Sequence, residues 1–197
     1  MGKRLKLYNV NLKYIRNLHN VDNHVPSISP QIGKQNRPFL GVVVMVNGEK
    51  YCIPLSSNSP KKNKKLDSMR ENITFRKIQD RNGKILAALN LNNMIPIRDE
   101  YITEIDLNIK SSDSVSMRQW KNLCAKELDW CQANSAEIER LANELHRKYC
   151  SGESFQKRKI CLNFPALEKE CNKAKSFPMT KSAKVLEGSM ETIREKQ

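Results

Sequence analysis

The feature that most constrains the fold is a β-hairpin pattern within residues 39–57. A largely β-branched run from Val42 to Val46 is followed by Asn47-Gly48 and then by a second apolar run from Tyr51 to Leu55. Asn-Gly between two such runs is typical of a type I′ turn, which needs positive φ at both central residues. Pro54 cannot donate a ladder hydrogen bond, so we expect the second strand to stop near it.

The segment that follows this hairpin combines hydroxyl and ammonium groups. Ser56 and Ser57 come directly after the second apolar run, and no acidic residue occurs between them and Asp67. The lysines of this segment are Lys61, Lys62, Lys64 and Lys65. Such a loop at a sheet edge suits phosphate binding, although a solvated, flexible turn explains the composition equally well.

The overall charge favours a polyanionic partner. The chain has 197 residues, 35 of them basic and 21 acidic, with a net charge of +14. An excess this large is typical of proteins that bind nucleic acid. A membrane is a poorer match because no stretch approaches the roughly 20 apolar residues of a spanning helix. We therefore expect a cytoplasmic protein.

Metal binding is not expected. The six cysteines show no Cys-x-x-Cys spacing, and the three histidines form no ligand pattern. Small, buried thiols in a reducing compartment are the better interpretation than zinc ligands or disulfides.

The rest of the first half predicts a sheet. Beyond the hairpin, short apolar or alternating runs predict strands at residues 6–11, 73–78, 84–91, 94–97 and 101–107. Five to seven short strands within about 100 residues, punctuated by Asn-Gly and Pro, indicate a small, strongly bent antiparallel barrel rather than a parallel sheet.

The second half predicts helices. A single apolar stripe at helical spacing runs from Ser114 to Tyr149, with a break near residue 133 as an alternative, and Asn163 reads as the cap of another helix. The predicted class is α+β in one domain, with the barrel at about 5–108, helices at about 114–175 and a polar basic tail at 176–197.

The chemistry of the chain points to RNA rather than to a nucleotide cofactor. There is no Walker motif, no Gly-rich nucleotide loop and no paired-carboxylate spacing. RNA supplies its own nucleophile, the 2′-hydroxyl, so an enzyme needs only to orient it, assist proton transfer and stabilise phosphoryl charge. Lys, Arg, Ser and Tyr are sufficient for these tasks. Local sequence alone favours a core position for Tyr14.

Several stretches resemble the ToxN/AbiQ family of type III toxin–antitoxin endoribonucleases, in the family's order from residue 6 to about 171. They are Lys6-Leu7-Tyr8 with Lys13-Tyr14-Ile15, Phe39-Leu40-Gly41-Val42-Val43, Asn47-Gly48 through Tyr51, Ile53-Pro54-Leu55-Ser56-Ser57, Pro60-Lys61-Lys62, Leu89 through Pro96, Ala133-Asn134-Ser135, and Cys161-Leu162-Asn163-Phe164 with Leu167-Glu168.

The resemblance implies a MazF/Kid-like barrel enlarged by helices. It also implies a metal-independent endoribonuclease that leaves a 2′,3′-cyclic phosphate and a 5′-hydroxyl. The implied antitoxin is not a protein but an RNA of pseudoknotted repeats, cut by the toxin and assembled with it into a closed ring. The implied setting is phage defence by abortive infection, with cellular mRNA as the substrate.

The resemblance assigns five catalytic positions. Ser57 matches the family's key serine, and Ser56 matches its Thr/Ser neighbour. Lys61 matches a lysine that would stabilise charge, and Tyr14 matches an active-site tyrosine. Arg37 stands where the family often has Lys; its guanidinium can clamp phosphate but is a poor proton donor or acceptor.

This chain departs from the family pattern at Asn58-Ser59, which is inserted before Pro60. An alternative register therefore gives the key role to Ser59. Ser57 is preferred because it lies at a fixed distance from the strand end at Leu55.

RNA contacts are expected beyond these catalytic groups. We assign RNA binding to Lys6, Lys62, Lys64, Lys65 and Phe39, although Phe39 fits the core equally well. Phosphate contacts by lysines release counterions, so affinity should fall steeply with salt.

Two other functions compete with this interpretation. A non-catalytic basic RNA-binding module would bind RNA without cutting it. A MazF-like ribonuclease would instead be inhibited by a protein antitoxin. A DNA-binding role is weaker because no helix-turn-helix or basic zipper pattern is present.

Overall fold

The computed structural model describes residues 4–26, 39–57 and 66–173, and the described part is an α+β structure with an antiparallel sheet. Its strands are β1 (Leu7–Val10), β2 (Phe39–Val46), β3 (Glu49–Ser57), β4 (Phe75–Gln79), β5 (Ile85–Asn90), β6 (Ile95–Pro96) and β7 (Ile102–Glu104). The strand order is β4-β5-β3-β2-β1-β7, and β6 pairs with β3 beside this path. The five strands predicted outside the hairpin are confirmed in position, but each is shorter than predicted, and β4 ends one residue later than predicted, at Gln79.

The predicted hairpin is confirmed. Asn47 and Gly48 both have positive φ, 49° and 83°, as the tight turn requires. From this turn β2 and β3 pair in register from Val46 opposite Glu49 to Gly41 opposite Pro54.

The prediction that β3 stops near Pro54 is wrong, since the strand continues to Ser57. The reason is a change of partner. On the edge of β3 away from β2, described pairing with β6 ends at Cys52, and pairing with β5 begins at Leu55. Pro54 lies in the gap between these two ladders, where a missing N–H costs no ladder bond.

The described strands do not close into a barrel. β4 and β7 lie at the two ends of the strand order, and within the described ranges they do not pair with each other. The antiparallel α+β class is confirmed, whereas barrel closure stays a prediction.

The helices pack on this sheet. They are α1 (Leu12–Val21), α2 (Val115–Ala133), α3 (Ser135–Cys150) and α4 (Phe164–Lys173). Ser114 caps α2 by accepting a hydrogen bond from the Met117 amide, and Asn163 accepts one from the Ala166 amide at the start of α4, as predicted. The alternative of a break near residue 133 is also confirmed, because α2 and α3 meet at Asn134.

One hydrogen-bonded cluster connects β3 to two helices. The fully buried Tyr51 donates its hydroxyl proton to Glu168 of α4 at 2.7 Å, and the same carboxylate oxygen lies 2.8 Å from His146 Nε2 of α3. Burial raises the pKa of the Tyr51 hydroxyl, which therefore stays a donor. The cluster fixes the hairpin strand that carries Ser56.

The described buried residues form one hydrophobic cluster that extends from β1 to α4. All six cysteines are free thiols, and five are buried; Cys150 is exposed, contrary to the expectation that all six lie in the core. Across the described ranges, no helix combines the length and the apolar character needed to cross a membrane.

Candidate active site

A cleft of about 820 Å³ opens beside the end of β3. Its wall includes Ser56, and the remaining lining residues come from residues 66–75, from the end of β5 with the short 3-10 helix Leu91–Asn93, and from residues 156–160. Each part of this wall is held by the sheet or by a turn packed against it. The cleft is large enough for a nucleotide-sized ligand.

Ser56 is held in this wall by an asparagine of the neighbouring strand. It is exposed and pairs with Ala88 of β5, and the Asn90 Nδ2 donates to its Oγ at 2.9 Å. Asn90 Nδ2 also lies 3.4 Å from the Pro54 carbonyl oxygen, so the amide bridges the point where β3 changes partner. Ser57 follows, with its backbone opposite Ala87.

Described residues on both sides of the lysine-rich segment line this cleft. Ser56, just before it, and Leu66, directly after it, both line the cleft wall. Lys61, Lys62, Lys64 and Lys65 themselves lie outside the described residues, as do Arg37 and Ser59. Their assigned roles therefore stay predictions.

Tyr14 is in the core. It is 4% exposed, donates its hydroxyl proton to the Pro96 carbonyl oxygen at 2.7 Å and stacks on Tyr101 with ring centroids 4.0 Å apart. Burial raises the pKa of its hydroxyl, which keeps the phenol protonated. Tyr14 does not belong to the described wall of the cleft, and its catalytic role stays a prediction.

Phe39 and Lys6, assigned to RNA contact, also have protein partners. Phe39 is 8% exposed and belongs to the hydrophobic cluster. The Lys6 ammonium lies 2.7 Å from Glu104, and both side chains are about half exposed. The hydrogen bond to Glu104 raises the pKa of Lys6, which stays charged but is locally neutralised.

The cleft contains functional groups that sequence reasoning missed. Arg70 and Lys157 are exposed cations on its wall, and Met69 and Ile160 are exposed apolar side chains at 40% and 50%. Asn90 lies within Leu89 through Pro96, a stretch that resembles the family, but the resemblance gives it no role. Its contact with Ser56 depends on the pairing of β5 with β3, which no local sequence signal specifies.

Two solved structures have folds similar to this one. One, described as selective toxin inhibition by a non-coding RNA pseudoknot in a type III toxin–antitoxin system, aligns with a TM-score of 0.69 at 26% identity, covering 89% of this chain and 100% of that chain. Another, AbiQ, a lactococcal anti-phage endoribonuclease, aligns with a TM-score of 0.72 at 22% identity, covering 89% and 100%.

Sequence comparison identifies the family. Residues 6–172 match the model of Toxin ToxN, type III toxin-antitoxin system, and the chain therefore belongs to this family. It is similar to the Endoribonuclease ToxN of Bacillus thuringiensis subsp. kurstaki, with 28% identity over 184 residues, which are 89% of this chain and 87% of the relative.

Proposed function

We propose that this protein is a metal-independent endoribonuclease toxin of a type III toxin–antitoxin system. The observation that carries the proposal is the position of Ser56 on the wall of the cleft, at the end of β3, in a chain that matches the toxin family over residues 6–172. Ser56 thus borders a cavity large enough for a nucleotide, and the family resemblance supports a role there for Ser57 and for the lysines that follow.

The reaction is an internal transfer within RNA. The 2′-oxygen attacks the adjacent phosphorus, a new P–O2′ bond forms, and the P–O5′ bond breaks. The 2′-hydroxyl proton leaves to a base, and the departing 5′-oxygen takes up a proton. The products are a 2′,3′-cyclic phosphate and a 5′-hydroxyl, and the protein must orient the in-line geometry and stabilise the phosphoryl oxygens.

The proposed catalytic roles follow the family resemblance. Ser57 positions the 2′-hydroxyl or the scissile phosphate, with Ser56 beside it. Lys61 stabilises charge on the phosphoryl oxygens, and Arg37 clamps a phosphate. Tyr14 has the least support as a direct contact, because its hydroxyl is already bonded to Pro96; its support is the family motif alone.

The proposed RNA contacts extend the positive edge. Lys62, Lys64 and Lys65 belong to the sequence between Ser56 and Leu66, two residues that line the cleft, and contacts of these lysines with phosphates would make binding salt-dependent. Lys6 and Phe39 complete the assignment; Lys6 would have to leave Glu104, which costs little for an exposed ion pair.

The proposed inhibitor is an RNA of pseudoknotted repeats that the toxin itself cuts and then holds in a closed protein–RNA ring. The proposed setting is phage defence, with cellular mRNA as the other substrate. We also infer a single domain whose sheet is a strongly bent, MazF/Kid-like barrel. The change of partner of β3, from β6 before Pro54 to β5 after it, supports this geometry.

The experiment is RNA cleavage in EDTA by the wild type and by Ser57→Ala and Ser59→Ala, with analysis of the product ends. Ser112→Ala is the matched control, because Ser112 is exposed in the turn before α2 and is outside the cleft wall. We expect cleavage in chelator with cyclic-phosphate ends, lost in Ser57→Ala and retained in the other two variants.

Other outcomes assign the function differently. Loss of cleavage only in Ser59→Ala keeps the enzyme and shifts the register by two residues. Absence of wild-type cleavage, combined with tight and salt-sensitive RNA binding, contradicts the proposal and favours the non-catalytic binding module. Inhibition by an acidic protein encoded alongside, rather than by a repeat RNA, favours the MazF-like alternative.

A further inference from the structure

We propose that the cleft beside Ser56 is a base-binding subsite, in which the side-chain amide of Asn93 reads the edge of one unstacked RNA base next to the scissile phosphate. This inference rests on the proposed ribonuclease function. It adds to that function a site of sequence selection and the residue that determines it.

The Asn93 amide is oriented before any ligand binds. Asn92 Nδ2 donates to the Ile160 carbonyl oxygen at 3.0 Å and to Asn93 Oδ1 at 2.9 Å. A backbone carbonyl can only accept, so it fixes which atom of the Asn92 amide is the nitrogen, and that nitrogen in turn fixes Asn93 Oδ1. Asn93 Nδ2 then has no hydrogen-bond partner among the described residues.

The backbone under this amide is rigid. Asn93 is the last residue of the short 3-10 helix Leu91–Asn93. Leu91, at the start of this helix, and Met94, directly after Asn93, are both 0% exposed. The backbone N–H of Asn92 donates to the carbonyl oxygen of Thr74 at 3.0 Å, which connects this 3-10 helix to the residue before β4. A donor held this way loses little conformational entropy on binding, and this is a requirement for discrimination between similar ligands.

The cleft also offers apolar contact for the faces of a base. Met69 and Ile160 are 40% and 50% exposed on the same wall, so both present apolar surface to the cleft. Unstacked RNA bases are commonly stacked on aromatic rings or Arg guanidinium planes and hydrogen-bonded along their edges, and the apolar side chains here would add contact with the base faces. The Arg70 guanidinium offers a further planar surface or a phosphate contact.

The charge of the wall suits RNA. Arg70 and Lys157 are exposed cations whose side-chain nitrogens make no hydrogen bond or ion pair to the described residues. Glu71 is the only carboxylate among the described lining residues, and it already accepts a hydrogen bond from the Lys77 amide at 2.5 Å. The wall can therefore accept the phosphates that flank a bound base.

The distance from the chemistry is short along the chain. Asn90, bonded to the Ser56 hydroxyl, is three residues before Asn93 in the same strand and turn. Ser56, Asn90 and Asn93 all line the same cleft, and on this basis we assign the base that contacts Asn93 to a nucleotide near the cleaved bond.

The test is selection from a random eight-nucleotide library of 2′-fluoro RNA, which cannot undergo 2′-hydroxyl attack. The library is bound to the wild type, Asn93→Ala and Asn93→Asp at one salt concentration, and the bound fraction is sequenced. Asn17→Ala is the control, because Asn17 is an exposed asparagine of α1 outside the cleft wall. A thermal melt of each variant confirms folding.

We expect the wild type to enrich one base at one position by about tenfold, the usual worth of one well-placed amide–base pair. Asn93→Ala should reduce that enrichment to less than about threefold while other positions keep theirs. Asn93→Asp, which replaces the donor by an acceptor, should change the enriched base. If Asn93→Ala fails to fold, Asn93→Asp decides in its place.

Two results would overturn the subsite: a wild type that enriches no base at any position, or an Asn93→Ala variant that keeps the full enrichment. Because the library cannot be cut, this readout is independent of catalysis. Cleavage of ordinary RNA in EDTA by the same wild-type preparation tests the proposed function separately, so failure of one is distinguishable from failure of the other.

Discussion

Replacement of Gly41 by alanine should damage both the fold and the site, because no space exists for a side chain at this position. Gly41 of β2 lies opposite Pro54, where β3 changes partner. A Cβ atom there would lie 2.5 Å from Cys52 Sγ and 2.5 Å from the Ile53 carbonyl oxygen. One obstacle is therefore backbone, which cannot rotate away as a side chain can.

The size of the effect follows from these distances. Ordinary contacts begin near 3.4 Å, so β2 and β3 must separate by roughly 1 Å at their closest pair. Overpacking of this kind costs about 1–3 kcal/mol, and the backbone contact places Gly41→Ala near the upper end. For a chain of this length, about 3 kcal/mol lowers the Tm by about 6–12 °C.

The assay is thermal and urea unfolding, followed by RNA cleavage well below the Tm. The double variant Gly41→Ala/Cys52→Ala lacks the sulfur but keeps the Ile53 carbonyl oxygen as an obstacle. It should therefore recover only part of the Tm that Gly41→Ala loses. Gly48→Ala is the control: its Cβ would meet nothing within 4 Å, and its cost comes only from the positive φ of 83°, about 1 kcal/mol.

The cleavage measurement connects this strain to the site. Separation of the strands at Pro54 would displace the end of β3 and thus Ser56, so kcat should fall more in Gly41→Ala than in Gly48→Ala. A Gly41→Ala protein that melts within about 2 °C of the wild type would refute the reasoning, since that is less than about 1 kcal/mol.

Two further predictions concern hydrogen bonds around the site and the fold. Asn90→Ala removes the 2.9 Å hydrogen bond to Ser56 Oγ and should lower kcat about tenfold with little change in KM, measured by steady-state RNA cleavage; an unchanged kcat would contradict a positioning role. Burial opposes ionisation of Asp22, but hydrogen bonds from the Asn163 and His24 amides outweigh it and lower the pKa of the carboxyl below its usual 3.8. The ionised carboxylate therefore stabilises the fold above pH 3.8, and this stabilisation is lost as the pH falls through the lowered pKa. Asp22→Asn should therefore lower the free energy of unfolding by about 1–2 kcal/mol at pH 7, and urea titrations near pH 3 should show a smaller difference; an equal difference at both pH values would contradict it.

The local elements of this fold could be predicted from sequence, because each has a short-range cause. Asn47-Gly48 specifies the turn, Ser114 and Asn163 specify two helix starts, and the apolar stripe specifies which face of α2 and α3 is buried. The pairing of β5 with the end of β3 is different. It joins residues 30 to 34 positions apart, and nothing within either segment specifies the partner.

The candidate site shows the same limit. The serines at the end of β3 and the lysines that follow can be recognised from their residue types, because hydroxyl and ammonium groups close together in sequence suggest phosphate chemistry directly. Asn90 and Asn93 cannot be recognised in this way, because an asparagine near the end of a strand is most often a turn residue. The role of Asn90 depends on Ser56 in the neighbouring strand. The orientation of Asn93 depends on Asn92, whose amide also bonds to the carbonyl oxygen of Ile160, a residue distant along the chain.

The error at Pro54 shows how the fold produces the site. The missing N–H of Pro54 predicts the end of a strand, but pairing is interrupted on only one edge of β3, where β6 pairs before Pro54 and β5 after it. Had the strand ended there, Ser56 would lie in a loop with no neighbour to fix its hydroxyl. Because β3 continues and takes β5 as a new partner, Asn90 can bond Ser56 while the turn after β5 brings Asn93 to the same cleft. The proline thus separates two ladders, and the cleft forms where the second ladder ends.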